Sequence, residues 1–351
     1  MSVVAHGELE LETGSPEELI ELFESRGWGD GLPLVPPTKD RVDAMLAASP
    51  GEPALDPDEV VATLEPRRGE ATRRAIAINA VLAGCRPGVL PVLTTAVRAL
   101  AAPELNLRGV NATTHPVAPL LVVHGAAVAE HGFNPGLGTF GPGTRANASV
   151  GRAVRFVLMH VAGARPGAGD ASTQGQPSKY GYCIAENESA SPWESYPKSV
   201  GVDAESAVTV HCGENPHNFH DMESDGPEPI LRKAASVMAT LGSNNAPVSS
   251  AEFFVVLGPE HAATIAGAGW SRADVQRFLW DHTRLPTRVL REAFDVVQVK
   301  EGLRDLPDDA LAPIADGAEC FRVLVAGGAG KHSCVIPSWG MTKSVTLPVT
   351  P

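Results

Sequence analysis

The sequence predicts an α/β protein made of duplicated helix–strand–helix units around mixed or parallel sheets, joined by many Gly/Pro-rich loops. Three observations carry this reading. GVNATTHPVAPLLVVHG (109–125) and GSNNAPVSSAEFFVVLG (242–258) share a G-x-N start and a VV-x-G finish at identical spacing. Each apolar run is short and β-branched, as a buried strand requires, and each leads into two helical segments. A third run of the same kind, FRVLVAGGAG (321–330), lies towards the C-terminus.

Taken in chain order, SPEELIELFESRG reads as a helix with Ser15 as N-cap, Pro16 at the first position and Glu17 and Glu18 in the first turn. WGDGLPLVPPT cannot be helical, and Trp28 should lay this loop on the body of the protein. Residues 69–101 read as two helices broken at Gly84 and Pro87. AAVAEHG and ANASVGRAVRFVLMHV follow the first repeated strand; PEHAATIAGAG and SRADVQRFLWDHT follow the second. We divide the chain into 1–68, an N-terminal helix–loop–helix segment, 69–200, the first repeat, and 201–351, the second.

Composition narrows the function. With 351 residues, 43% of them hydrophobic, the chain can bury a large core. Its 35 Gly and 30 Pro exceed the ordinary share of about 12% and point to many tight turns. A net charge of −13, with no run of Lys or Arg, argues against nucleic-acid binding. The N-terminus has neither a basic nor an apolar leader region, and VAPLLVVHGAAVA is too short and interrupted to span a bilayer. We therefore expect a cytoplasmic protein, and separately a homo-oligomer. Five scattered cysteines without C-x-x-C spacing argue against a disulfide framework or zinc ribbon.

Four stretches could carry chemistry. FNPGLGTFGPGTRANAS is inserted between the downstream helices of the first repeat, where the second has only WS. Its glycines permit close backbone approach, and Arg145 and Asn147 at a helix start suit a substrate anion. GGAGKHSCVIPSWG (327–340) sets Lys331, His332 and Ser333 on a turn after a strand, without the phosphate-loop pattern.

STQGQPSKYGYCIAENESASPWE (172–194) holds Lys179, Tyr180, Cys183 and the paired carboxylates Glu186 and Glu188. Paired carboxylates suit acid–base or metal roles. HCGENPHNFHD (211–221) is the densest in coordinating groups, and His217, His220 and Asp221 form a candidate set for a divalent metal. We read it as a loop decorating the scaffold, entered from His211 and Cys212 at the tail of a strand. Asn111 and His115 precede the first repeated strand, and Cys85 is a further thiol. His124, His131, His160, His261 and His282 are assigned to structural positions.

GWGDGLPLVPPT, IAINAVLAGCRPGVLPVL, NATTHPVAPLLVVHG, GTFGPGTRANASVGRAVR, ASTQGQPSKYGYCIAENE and AGGAGKHSCVIPSWG together resemble a bacterial family. Its members look like the large companion of a small protein with a selenocysteine- or cysteine-Gly-Ser-Cys motif. The resemblance spans nearly the whole chain. It implies a two-component, thiol- or selenol-dependent system, brings no catalytic residues to carry over, and weakens the case for Cys334, whose position is commonly not a cysteine there.

The resulting expectation is an enzyme of lyase or oxidoreductase type acting on a small polar, carboxylate-bearing substrate. Its acid–base groups would be His115, His217, His332 and Glu186, with Cys183 or Cys85 as the thiol. Substrate would be held by Asn111, Arg145, Asn147, Lys179, Tyr180, Lys331 and Ser333. One alternative is metal-dependent lyase or hydrolase chemistry at His217, His220 and Asp221; another is a non-catalytic substrate-binding subunit of the two-component system. There is no nucleotide motif.

Overall fold

The computed structural model describes residues 15–48, 55–245, 251–294 and 304–350. The leader reading of residues 1–14 and the stretch 246–250 of the second repeat lie outside them. The chain opens with α1 (Pro16–Ser25) and α2 (Lys39–Ala47). Ser15 and Glu18 form a reciprocal capping box at the start of α1. Trp28 packs against Phe23 and the main core.

An antiparallel hairpin, β1 (Val60–Leu64) and β2 (Gly69–Thr72), precedes α3 (Arg73–Leu82). The first long helix thus starts at Arg73, later than residue 69, because Thr72 turns out of the hairpin and caps the Ala75 N–H. Gly84, at φ +81°, takes the left-handed turn that ends it. α4 (Leu90–Leu100) and α5 (Leu107–Ala112) follow.

The first repeat, which runs past the expected boundary at 200, then comprises β3 (Ala118–Gly125), α6 (Ala126–Glu130), α7 (Arg145–His160), β4 (Cys183–Ala185), α8 (Tyr196–Ser199), β5 (Ser206–Gly213) and β6 (His217–His220). The second has α9 (Pro227–Met238), β7 (Phe253–Leu257), α10 (Pro259–Gly267), α11 (Arg272–His282), β8 (Arg284–Pro286), α12 (Thr287–Ala293), β9 (Leu311–Pro313), β10 (Phe321–Val325), β11 (His332–Pro337) and β12 (Val345–Pro348). β8 and β9 form a small antiparallel pair of their own.

Two four-stranded mixed sheets organise the molecule, with orders β12-β5-β3-β4 and β10-β7-β11-β6. In each, the repeated strand lies between a parallel neighbour (β4 or β10) and an antiparallel one (β5 or β11). Leu120, Val122 and Ile184 meet Phe254, Val256, Leu324 and Ile336 in an apolar layer between the sheets. The opposite faces, including Leu121 and Val123 in one sheet and Val255 and Leu257 in the other, pack on helices. The layers run helix, sheet, sheet, helix.

Pairing defines the counterparts. Val122 pairs with Ile184 and Thr209; Val256 pairs with Leu324 and Cys334. Val122 and Val256 both face the inter-sheet layer. Equal sequence spacing would instead match Val122 to Val255, which faces the helices. The duplication is therefore real strand for strand, but its register is one residue beyond that of the shared G-x-N…VV-x-G pattern. A one-residue slip reverses every side chain.

The repeats also exchange their last strands. β6 follows β5 in the chain yet pairs with β11 in the second sheet, and β12 follows β11 yet pairs with β5 in the first. Gly213 and Ser338, which are counterparts, bridge each other at the crossing. HCGENPHNFHD is therefore the end of β5, a turn and an exchanged strand. It is not a decorating loop. β5 and β12, both beyond residue 200, complete the first sheet.

Candidate functional site

A cleft of about 290 Å³ opens where the parallel strands β7 and β10 end. It is walled by the Gly-rich insert of the first repeat (Gly138 to Gly141), by Pro216 and Asn218, and by Ala326, Gly327 and His332 to Cys334. Three of the four stretches marked in the sequence meet here. The C-terminal ends of parallel strands are the usual position for a ligand in open α/β sheets.

Small residues make the space. Gly258 closes β7, and a Cβ there would lie 2.3 Å from the His332 carbonyl oxygen. The insert is held over the cleft by Asn147, whose side-chain amide accepts the Asn134 N–H (2.8 Å) and donates to the carbonyls of Asn134 (3.1 Å) and Thr139 (3.2 Å). Gly327 N–H donates to Pro135 O at 2.8 Å, tying the insert to the turn of the second repeat.

Strand alternation sorts the polar groups. Asn218 pairs with Cys334 and His220 with His332, so all four occupy the cleft face of the sheet. His332 Nδ1 lies 3.1 Å from Asn218 Oδ1, and the His220 and His332 rings are 5.7 Å apart. Both histidines are exposed at the mouth. Cys334 is partly buried, and burial pushes its thiol up to about 12, so it is neutral at ordinary pH. Ser333 points the other way. Its Oγ accepts the Gly258 N–H (2.9 Å) and lies 2.7 Å from His261 Nδ1, which anchors the turn.

The proposed metal set does not assemble. His217 and His220 lie on opposite faces of β6 because three residues span an odd number of strand positions. Asp221 is buried and committed elsewhere. Burial alone would raise its carboxyl, but hydrogen bonds from Lys233 (2.6 Å) and Ser224 (2.8 and 2.9 Å) outweigh that and hold it well below the usual carboxylate range.

Several other sequence-marked residues lie away from the cleft. Arg145 Nε donates to Gly84 O at 2.8 Å. Asn111 is buried and donates to Glu65 O at 3.0 Å. Lys331 donates to Met222 O at 2.9 Å, and Tyr180 is exposed. Lys179 binds Asp170 at 2.7 and 2.8 Å in a network with Ser172 and Arg155. Burial would raise Asp170, yet these donors hold it at about 2. His115 Nε2 lies 2.8 Å from Glu214 Oε1, and its Nδ1 is buried without a partner among the described residues.

The thiol expectation meets a physical obstacle. Cys85 and Cys183 are buried. Burial pushes Cys85 up to about 12 and Cys183 far above the ordinary thiol range. Neither is a thiolate at neutral pH, and the thiolate is the nucleophile.

Glu186 and Glu188 are at the corresponding end of the first sheet, where β3 and β4 stop. The positions that are Gly258, Ala326 and Cys334 in the second repeat are His124, Glu186 and Thr209 in the first. His124 Nδ1 lies 2.7 Å from Glu186 Oε2 and its Nε2 2.9 Å from Thr209 Oγ1. Tyr196 N–H donates to both Glu186 oxygens (2.9 and 3.1 Å), and its ring stacks on His124. The order hydroxyl, imidazole, carboxylate is that of a nucleophilic triad. Thr209, however, has no exposed surface, so no substrate reaches it.

Sequence reasoning missed Asn218, Cys334 and His124. Asn218 and Cys334 stood inside marked stretches, two residues from groups that were chosen, and strand alternation was the signal that would have selected them. Compared with protein-family models, curated proteins and solved structures, the chain matches none. No single helix among the described residues is long and apolar enough to cross a membrane.

Proposed function

We propose that the chain is an enzyme that binds a small polar molecule in the cleft between the repeats and transfers a proton to or from it. The observation that carries this is the convergence of the first repeat's Gly-rich insert, the exchanged strand β6 and the turn before β11 on one cavity at the strand ends. His332 is the acid–base group, with Asn218 orienting its ring and His220 beside it. Two histidines at the mouth favour an anionic substrate such as a small carboxylate. Cys334 contributes a neutral thiol to the wall and is not the nucleophile. The chemistry is therefore acid–base, with no covalent thiol intermediate.

The test is deuterium exchange. A panel of small hydroxy- and oxo-carboxylates is incubated with the protein in D₂O and followed by proton NMR. We expect enzyme-dependent loss of a C–H signal from at least one compound, slowed by about 10²-fold or more in His332→Ala. Asn218→Trp, which fills the cleft from an exposed strand position, should abolish it. Exchange that survives both substitutions overturns the assignment. Exchange by the chain alone also disposes of a non-catalytic subunit serving a small thiol or selenol partner.

A further inference from the structure

We infer that His124, Glu186 and Glu188 form a binding site for one divalent transition-metal ion, separate from the cleft. Their ligand atoms, one imidazole nitrogen and two carboxylate oxygens, all lie within 4.8 Å of one another. This is the one such group of three among the described residues. One nitrogen and two carboxylates suit a borderline ion such as Zn²⁺, Fe²⁺ or Mn²⁺.

Three features distinguish this group from a chance meeting of acids. The first is the support behind His124. Its Nε2 lies 2.9 Å from Thr209 Oγ1, which is itself 2.9 Å from Thr346 Oγ1. With Nε2–H donating to Thr209, the neutral tautomer leaves Nδ1 free for the ion, and outer-shell hydrogen bonds of this kind orient metal-ligating histidines. The second is that Glu186 is a fully buried carboxylate met at close range by His124 and the Tyr196 N–H, with Arg272 acting on it electrostatically from beyond 4 Å. A buried anion gains from a cation held beside it. The third is access: Glu188 is exposed and its Oε1 is held by the Gly125 N–H at 2.8 Å, so the group opens to solvent on one side.

Binding requires little movement. His124 Nδ1 and Glu186 Oε2 are 2.7 Å apart, whereas ligands on a common ion at metal–ligand distances near 2.1 Å stand about 3.0–3.4 Å apart. A small side-chain rotation suffices. Nδ1 then offers its lone pair to the ion, and the hydrogen bond it now shares with Glu186 gives way. The counterparts in the second repeat are Gly258, Ala326 and Gly328, none of which is a ligand, so the stoichiometry is one ion per chain.

The position also reaches the cleft. Asn187, between the two carboxylates, donates its backbone N–H to Val325 O (2.8 Å) and its Nδ2 to Gly327 O (3.0 Å). An ion holding Glu186 and Glu188 therefore steadies the residue that fixes one cleft wall.

The test uses the full chain, stripped with chelator, and Zn²⁺ or Co²⁺ alone. Calorimetry should show one ion per chain. Glu188→Gln, an exposed change that leaves the fold intact, should weaken binding at least tenfold and remove the Zn²⁺-induced rise in melting temperature. His220→Ala with His332→Ala should leave the affinity unchanged. The inference is overturned if no ion binds, or if binding is indifferent to Glu188→Gln, or if it is lost with His220 and His332 instead. Because the readout is binding, failure here leaves the proton-transfer reading of the cleft standing.

Discussion

The ends of the two sheets have the same topology and opposite content. Where β3 and β4 stop, His124, Glu186 and Thr209 fill the space and hydrogen-bond one another. Where β7 and β10 stop, Gly258, Ala326 and Cys334 leave a cleft. Three positions equivalent by pairing have become a packed polar centre in one repeat and an open cavity in the other. A duplicated scaffold thus supplies two candidate sites, and side-chain size decides which one a substrate can enter.

The comparison breaks most readily at His124. His124→Ala leaves the buried Glu186 carboxylate without its imidazole, and we expect a loss of about 3 kcal/mol in urea unfolding of metal-free protein. A loss near zero would mean that the first centre is not a paired network.

The next effect is on acid stability, and it contrasts His211 with its counterpart Ile336 in the inter-sheet layer. Burial pushes His211 down to about 4, against the pull of Glu252. It is neutral when folded, but the unfolded chain takes up the proton below about 6.5. Its contribution is thus fully present above pH 6.5, lost as pH falls towards 4, and constant below that. His211→Ile should therefore reduce the fall in unfolding free energy between pH 7 and 4.5 by about 2 kcal/mol. An unchanged pH profile would show that His211 is not held neutral.

The smallest effect separates Thr209 from Cys334. Thr209→Val strips His124 Nε2 of its partner and should cost about 1–2 kcal/mol. Cys334→Thr, at the equivalent position but lining the cleft, should change stability by no more than about 0.5 kcal/mol. Equal costs in both would sharpen the picture differently, by showing that the cleft wall is as tightly packed as the filled centre.

Much of the candidate site was legible as stretches, and less of it as residues. The insert 136–143, the turn before β11 and the segment 211–221 were each marked by density of Gly or of coordinating groups. Within them the choice of side chain failed where strand direction mattered. His217 and Ser333 were chosen and point away from the cleft face; Asn218 and Cys334 were not chosen and line it. Arg145 and Lys179 were marked for charge, but Gly84 O and Asp170 already engage them. Glu186 and Glu188, paired in the sequence, do lie together, and His124, which stands within 4.8 Å of both, read as structural because it ends an apolar strand.

The sequence by itself determined the α/β class, the capped start of α1, the helix break at Gly84 and the three apolar strands. These follow from local signals: propensity, caps, glycine conformations and runs of β-branched residues. Only the tertiary structure decided the register of the duplication, the exchange of β6 and β12, and which side chains face the cleft. The reason is that each sheet is covered by helices on one face and by the other sheet on its second face. β3 and β7 are therefore apolar on both sides, and a strand without polar alternation carries no record of which way its residues point.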